Sequence, residues 1–186
     1  SPDTDTPAGQ VADVEISADY DDLDRVRTFA QDVDVVTFEF ENVPHATALA
    51  AAEYAPVRPA GSVLHVTQQR GREKQFLAAR GFPIAPHALV RSRVEARAAL
   101  DRIGLPAVLK SADFGYDGKG QRVLRAIRDV DPAWRAIGAD LCVLEAFVDF
   151  ELECSVVAAR SVGGDQADFG VVENRHVDAV LDVSIA

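Results

Sequence analysis

Short apolar runs alternate with glycine- and proline-marked breaks along this chain, and their period changes near residue 60. Residues 21–31 carry acids in a first turn and place Leu23, Val26, Phe29 and Ala30 at helical spacing, which predicts a helix. Residues 33–40 are β-branched and aromatic and predict a strand. An alanine-rich helix over 46–53 and a short strand around Val57 follow. This βαβ rhythm is that of a parallel sheet.

Beyond Pro59, Ala60 and Gly61 the texture differs. A helix is predicted over 67–80, stopped by Gly81 with Pro83 and Pro86 beyond it. Then come a strand over 88–90, a helix over 94–103 ended by Gly104, and strands over 107–110 and 121–124 joined by a glycine loop. A helix over 131–137 carries Pro132 in its first turn. Strands over 142–145, 151–159 and 167–172 complete the pattern, and the segment LDVSIA shows no helix stop. Hairpin-linked strands with helices on one side predict an antiparallel α+β module. A domain boundary is therefore expected at 60–62.

Composition narrows the function. With 186 residues, 48% of them hydrophobic, the chain can bury a core of one large or two small domains. Thirty acids against 19 bases give a net charge of −11, which disfavours nucleic acid or an anionic membrane as a general partner. No run is long and apolar enough to span a bilayer, and the first ten residues read as a flexible end without a signal-peptide pattern. The two cysteines, Cys142 and Cys154, sit in apolar stretches and read as buried hydrophobes, in keeping with a reducing cytoplasm.

Four constellations carry candidate chemistry. In KSADFGYDGKGQ (110–121), Gly115, Gly118 and Gly120 can turn successive N–H groups toward one anion, with Lys110 and Lys119 as cations. Neither GxxxxGK[ST] nor GxGxxG is matched, and a hairpin turn at Asp117-Gly118 is an equal reading. In LEAFVDFELECS (144–155), alternation puts Glu151, Glu153 and Ser155 on one face, suited either to a ribose or cation or simply to solvent. Glu145 ends an apolar strand, and the connector Ala146-Phe147-Val148 offers backbone groups to a purine edge. Thr37, Glu39 and Glu41 share a strand face near Pro44, where polar substrates collect in parallel sheets. Arg70 and Lys74 stand four residues apart on one helix, a like-charge pair that reads either as a solvated face partly offset by Glu73 or as a site for a polyphosphate. No Ser/His/Asp set, HExxH or CxxC is present, so nucleophilic and zinc chemistry lack support.

Taken together, VVTFEFENVP (35–44), the Arg70/Lys74 helix, VLKSADFGYDGKGQ (108–121), LEAFVDFELECS (144–155) and VVENRHVDAVLDVSIA (171–186) resemble the ATP-grasp superfamily. They look closest to its 5-(carboxyamino)imidazole ribonucleotide synthase family, and run in that family's order over nearly the whole chain. The resemblance implies an ATP-dependent carbon–nitrogen ligase of purine biosynthesis. Its substrates would be ATP, bicarbonate and aminoimidazole ribonucleotide, reacting through carboxyphosphate with Mg²⁺ as the accompanying ion. It further implies that Arg70 and Lys110 contact ATP phosphates, that Gly115, Tyr116, Asp117, Gly118, Lys119, Gly120 and Gln121 form a lid, and that Glu145, Ala146, Phe147 and Val148 read adenine. Glu153 would hold the ribose and His176 would complete the nucleotide site, while Glu39, Tyr116 and Asp117 would face the ribonucleotide. No catalytic nucleophile is implied. The implied domains are 1–60, the last part of an α/β pre-ATP-grasp domain; 61–150, the lid and nucleotide-binding subdomain; and 151–186, the start of a third.

The family's chain extends on both sides of this one, so a fragment is expected, with metal ligands lying downstream and little turnover by the piece alone. The longer protein is expected to be a cytoplasmic homodimer. Alternatives are another ATP-grasp ligase, such as a formate-dependent glycinamide ribonucleotide transformylase or a biotin carboxylase, the latter disfavoured by TFEFENVP. A non-catalytic nucleotide-binding module is the alternative from a different class.

Overall fold

The computed structural model describes residues 1–113, 120–177 and 180–186, which fold as two compact units, Ser1–Phe82 and Pro83–Ala186. In the first unit, helix α1 (Leu23–Gln31) starts at Asp22, whose carboxylate accepts the Arg25 N–H at 3.1 Å. It packs on helix α2 (His45–Ala52), where buried Ala48, Ala50 and Ala51 present a surface of small side chains. Helices α3 (Gly61–Thr67) and α4 (Arg70–Ala79) follow. Leu64 joins Ala30, Val43, Ala48, Ala51, Ala55 and Val57 in the core. That burial is why α3 and α4 fold with the first unit and the compact division falls at residues 82 and 83. At the end of α4, Gly81 adopts φ 75°. Its N–H donates to Ala78 O at 3.0 Å and that of Phe82 to Leu77 O at 3.1 Å, the six-to-one closure that a glycine in this conformation allows.

Three sequence expectations change here. The strand expected over 33–40 is reduced to one parallel bridge, Val36 to Val57, with Val36 N–H on Pro56 O at 2.9 Å and Arg58 N–H on Val36 O at 2.8 Å. β-branched residues favour extended backbone, but a ladder requires a paired neighbour. The helix expected from residue 67 begins at Arg70, because Gln69 is extended at φ −132° and ψ 118° and separates it from the unanticipated α3. The opening segment is tied down rather than loose: the Glu15 carboxylate accepts N–H groups of Asp5 and Thr6, each at 2.9 Å, and the Thr6 hydroxyl at 2.7 Å.

The second unit follows the predicted order closely. Strands β1 (His87–Val90), β2 (Ala107–Ser111), β3 (Gln121–Leu124) and β4 (Cys142–Ala146) form an antiparallel sheet in the order β1-β4-β2-β3. Helix α5 (Arg93–Ile103) is capped by Ser92, which accepts the Glu95 N–H at 3.2 Å, and ends at Gly104 with φ 82°. Helix α6 (Val130–Ile137) ends at Gly138 in the left-handed region. Both helices cover one face of the sheet: Ala96, Ala99, Leu100, Val130 and Ala133 pack on Val90, Leu109, Leu124, Cys142 and Leu144. Each buried leucine contributes roughly 1.5–3 kcal/mol. Alternation leaves the opposite face of the sheet free to build a site.

A second antiparallel sheet contains β5 (Glu153–Arg160), β6 (Gln166–Val177) and β7 (Val180–Ile185) in that order. Glu151, expected in this strand, lies before it, β6 runs well past residue 172, and β7 is new. With its strands exposed along nearly their whole length, this sheet imposes no strict apolar alternation for a sequence reading to find. The same exposure corrects one cysteine. Cys142 is buried, and burial pushes its thiol up to about 11, whereas Cys154 on β5 is exposed; both are free. Among the described residues, no helix is long and apolar enough to cross a membrane.

Candidate functional site: a nucleotide-sized groove and its outlying residues

The face of the four-stranded sheet turned away from α5 and α6 forms a groove of about 500 Å³ lined by Val108, Lys110, Gln121, Val123, Glu145, the connector Ala146–Val148, and Phe150. Strand register explains the gathering. Lys110 pairs with Gln121 on β3 and Val143 on β4, while Glu145 pairs with Val108, so Lys110 and Glu145 are diagonal neighbours on one face. The Lys110 ammonium donates to Glu145 Oε2 at 3.1 Å. The carboxylate side chain is only 10% exposed and that of the lysine 24%, so the pair is held largely out of water.

The connector is anchored from both sides. Ala146 N–H donates to Pro86 O at 2.9 Å and Phe147 N–H to Pro106 O at 3.1 Å, so these two donors are occupied by protein. The next N–H, that of Val148, makes no backbone bond among the described residues. Phe147 and Phe150 are 41% and 62% exposed beside it, apolar area that a flat aromatic ligand would cover. Apolar floor, carboxylate, cation and aromatic rim in one concavity form the chemistry of a nucleotide site.

Glu153 and His176 meet on the second sheet. The register sets Glu153 opposite Asn174, which brings His176 Nδ1 within 3.3 Å of Glu153 Oε2, an ion pair when the imidazole is protonated. A register shift between Arg175 and His176 against β7 turns the strand at this point. Ser184 donates to Asn174 Oδ1 at 2.9 Å and Arg175 to Glu173 at 3.0 Å, extending the polar cluster along β6.

In the first unit, Glu39 is exposed on the segment after the Val36 bridge. Arg70 opens α4 and is half-buried, as is Lys74. Arg70 and Arg72 in the first turn oppose the helix dipole, with Glu73 as partial compensation; an anion is the natural complement of such an end. A second concavity, about 480 Å³ and lined by residues between Ala52 and Gly61, contains none of the candidate residues.

Of the residues expected in the lid, Gln121 begins β3 and Gly120 O accepts the Ser111 N–H at 2.8 Å. Gly115, Tyr116, Asp117, Gly118 and Lys119 lie outside the described residues. Sequence reasoning missed Val108 and Val123, the apolar floor, although alternation from Lys110 and Gln121 marks both. It also missed His87, which pairs across from Glu145. Among the described residues no three His, Cys, Asp or Glu side chains converge as a metal site requires.

A chain with these two units and this groove belongs to the ATP-grasp family: the ATP-grasp domain matches residues 75–186, and the ribonucleotide synthetase preATP-grasp domain matches residues 1–68. It is similar to the N5-carboxyaminoimidazole ribonucleotide synthases of Bacillus subtilis (strain 168), 38% identical over 181 residues, and Pseudomonas aeruginosa, 42% identical over 171 residues. These alignments cover 97% and 92% of this chain and 48% of each relative, so the chain spans about half the length of the curated relatives it matches. A crystal structure of an ADP complex of an N5-carboxyaminoimidazole ribonucleotide synthetase superposes with a TM-score of 0.92 at 41% identity, covering 98% of this chain and 48% of that one. The Staphylococcus aureus synthetase complexed with ADP superposes at 0.91 and 28% identity, covering 97% and 48%.

Proposed function

We propose that this chain is the nucleotide-binding part of an ATP-dependent ligase that carboxylates aminoimidazole ribonucleotide with bicarbonate. The observation that carries the reading is the groove in which Lys110, Gln121, Glu145 and the Ala146–Val148 connector share one sheet face. Its support comes from relatives bearing the synthase name at 38% and 42% identity and from the ADP complex that the fold matches.

In this reading Lys110 leaves its pairing with Glu145 partly to neutralise a phosphate, and Gly115–Gln121 close over the nucleotide. Glu145 through Val148 face the adenine edge, with the Val148 N–H as donor. Glu153 takes the ribose hydroxyls, and His176, fixed by Glu153, completes that end. Arg70 supplies a further phosphate contact, and Glu39, Tyr116 and Asp117 contact the ribonucleotide. The chemistry is phosphoryl transfer to bicarbonate, followed by attack of the exocyclic amine on the carboxyl group, with ADP and phosphate as products. Such a reaction requires positioning and charge neutralisation rather than a protein nucleophile.

Magnesium would bridge the phosphates in an ATP reaction of this class. The described residues do not fit a metal site by themselves, so the role assigned to this chain is confined to its own side chains. The proposed domain division is 1–60, 61–150 and 151–186. Cytoplasmic location and a homodimer of the longer protein belong to the same proposal. The test is phosphate release from ATP by the full-length gene product. The rate should rise when aminoimidazole ribonucleotide and bicarbonate are both supplied, and a rate indifferent to the ribonucleotide would overturn the assignment.

A further inference from the structure

We infer that Gln68 is a positioning residue for the substrate-facing turn, an assignment that rests on the ligase reading above. Gln68 sits at the end of α3, half-buried, where the chain breaks before α4. Its amide nitrogen donates to Glu41 O at 2.7 Å and to Val43 O at 2.6 Å. Both partners are backbone carbonyls, which only accept, so the amide is oriented unambiguously with both N–H groups used. The two carbonyls lie on one tight stretch: Val43 N–H donates to Phe40 O at 3.4 Å, and Val43 is buried in the core. Glu39 leads directly into that stretch, with no ladder of its own beyond the Val36 bridge. The side chain of Phe40 stacks on Tyr20 at 6.3 Å, which steadies the turn from its other side. A segment with so little regular pairing takes its geometry from such clamps. Gln68 is two residues from Arg70. One amide therefore fixes the backbone beside Glu39 to the break between α3 and α4.

Replacing Gln68 should loosen the turn without touching nucleotide contacts. In the full-length protein, Gln68→Met keeps the length and removes both donors, while Gln68→Glu sets a carboxylate against two carbonyl oxygens. Each is expected to raise the KM for aminoimidazole ribonucleotide about tenfold at saturating ATP, with the KM for ATP changed less than about twofold. Exchange of the backbone amides of residues 41–43 should quicken in both. Gln68→Asn, which keeps the donors but withdraws them by one methylene, serves if the glutamate variant does not fold, with the same expected split.

A wild type that responds to the ribonucleotide, with variants of unchanged KM, overturns this assignment and leaves the ligase reading standing. A fall in kcat alone, or an equal rise in both KM values, assigns Gln68 a general structural role and also overturns it. A wild type whose ATP turnover ignores the ribonucleotide overturns the ligase reading and this assignment with it; unchanged exchange at residues 41–43 removes the clamp independently of activity.

Discussion

Lys110 on β2 and Glu145 on β4 are diagonal neighbours whose charged atoms stand 3.1 Å apart. Glu145, its side chain only 10% exposed, fixes where the Lys110 ammonium stands in the groove. Attraction in this largely dry setting exceeds that of a surface pair, and so does the cost of removing one partner.

Lys110→Met is expected to lower kcat/KM for ATP in the full-length protein about tenfold or more, the loss of one charge-assisted contact. The same change deprives a buried carboxylate of its lysine and should cost about 1–3 kcal/mol in urea unfolding. Adding Glu145→Gln should recover part of that stability and none of the ATP dependence. A double variant that regained nucleotide kinetics would remove Lys110 from the phosphate site.

The platform beneath the groove depends on its covered face. Leu144 is fully buried between Leu109 and the two helices, adjacent in sequence to Glu145 and facing the other way. Leu144→Ala should therefore destabilise the second unit by about 2–5 kcal/mol through lost burial and a residual cavity. Thermal unfolding monitored by Trp134 fluorescence would measure it, since that indole packs at the edge of the same core.

His65 gives the first unit a pH dependence. Burial, then the charge of Arg72, then that of His45 lower its affinity for a proton from the ordinary value of 6.5. The rings of His45 and His65 lie 4.7 Å apart, and His45 Nδ1 is 3.0 Å from Gly61 O. The unfolded chain takes up the proton first as pH falls below 6.5, so the stabilisation is complete above that value and declines beneath it. Urea midpoints should accordingly fall between pH 7 and pH 5, and His65→Gln should flatten that slope. Glu15 and Glu53, whose carboxyls are shifted below 4.5 by Thr6 and Arg27 respectively, lose their contribution only in more acid solution.

Much of this architecture is legible in the residues alone, and the exceptions share a cause. Ala107 to Ser111 alternate between buried and half-buried because one face is covered by helices, and the hairpin linking this strand to 121–124 marks the antiparallel sheet. Lys110, Glu145 and Glu153 can each be singled out by type and place, and His176 only through the family resemblance, but their pairing across β2 and β4, or β5 and β6, is a matter of register between distant segments. The break at Gln68 and Gln69 leaves no mark in the sequence, since neither residue opposes a helix. It is explained by the contact of Gln68 with Glu41 and Val43. Tertiary hydrogen bonds overrode propensity there.

The three-stranded sheet β5 to β7 poses the opposite case, a ladder of backbone bonds with little burial behind it. Phe169, Val171 and Leu181 are 86%, 68% and 52% exposed, and β5 and β7 bury no side chain. Leu109 and Leu144, at 0%, hold the other sheet. Local stability follows buried apolar contact more closely than hydrogen-bond count, because exposed ladder bonds exchange with water bonds at little net gain. In the 186-residue chain, amides of β2 and β4 should therefore exchange near the global unfolding limit, and those of β5 to β7 orders of magnitude faster. The exposed apolar side chains should also bind a hydrophobic dye. In the full-length protein, if added segments cover this sheet, protection of residues 153–177 should rise and dye binding fall. Equal protection of both sheets in the 186-residue chain would show that β5 to β7 have a covering this fold does not reveal.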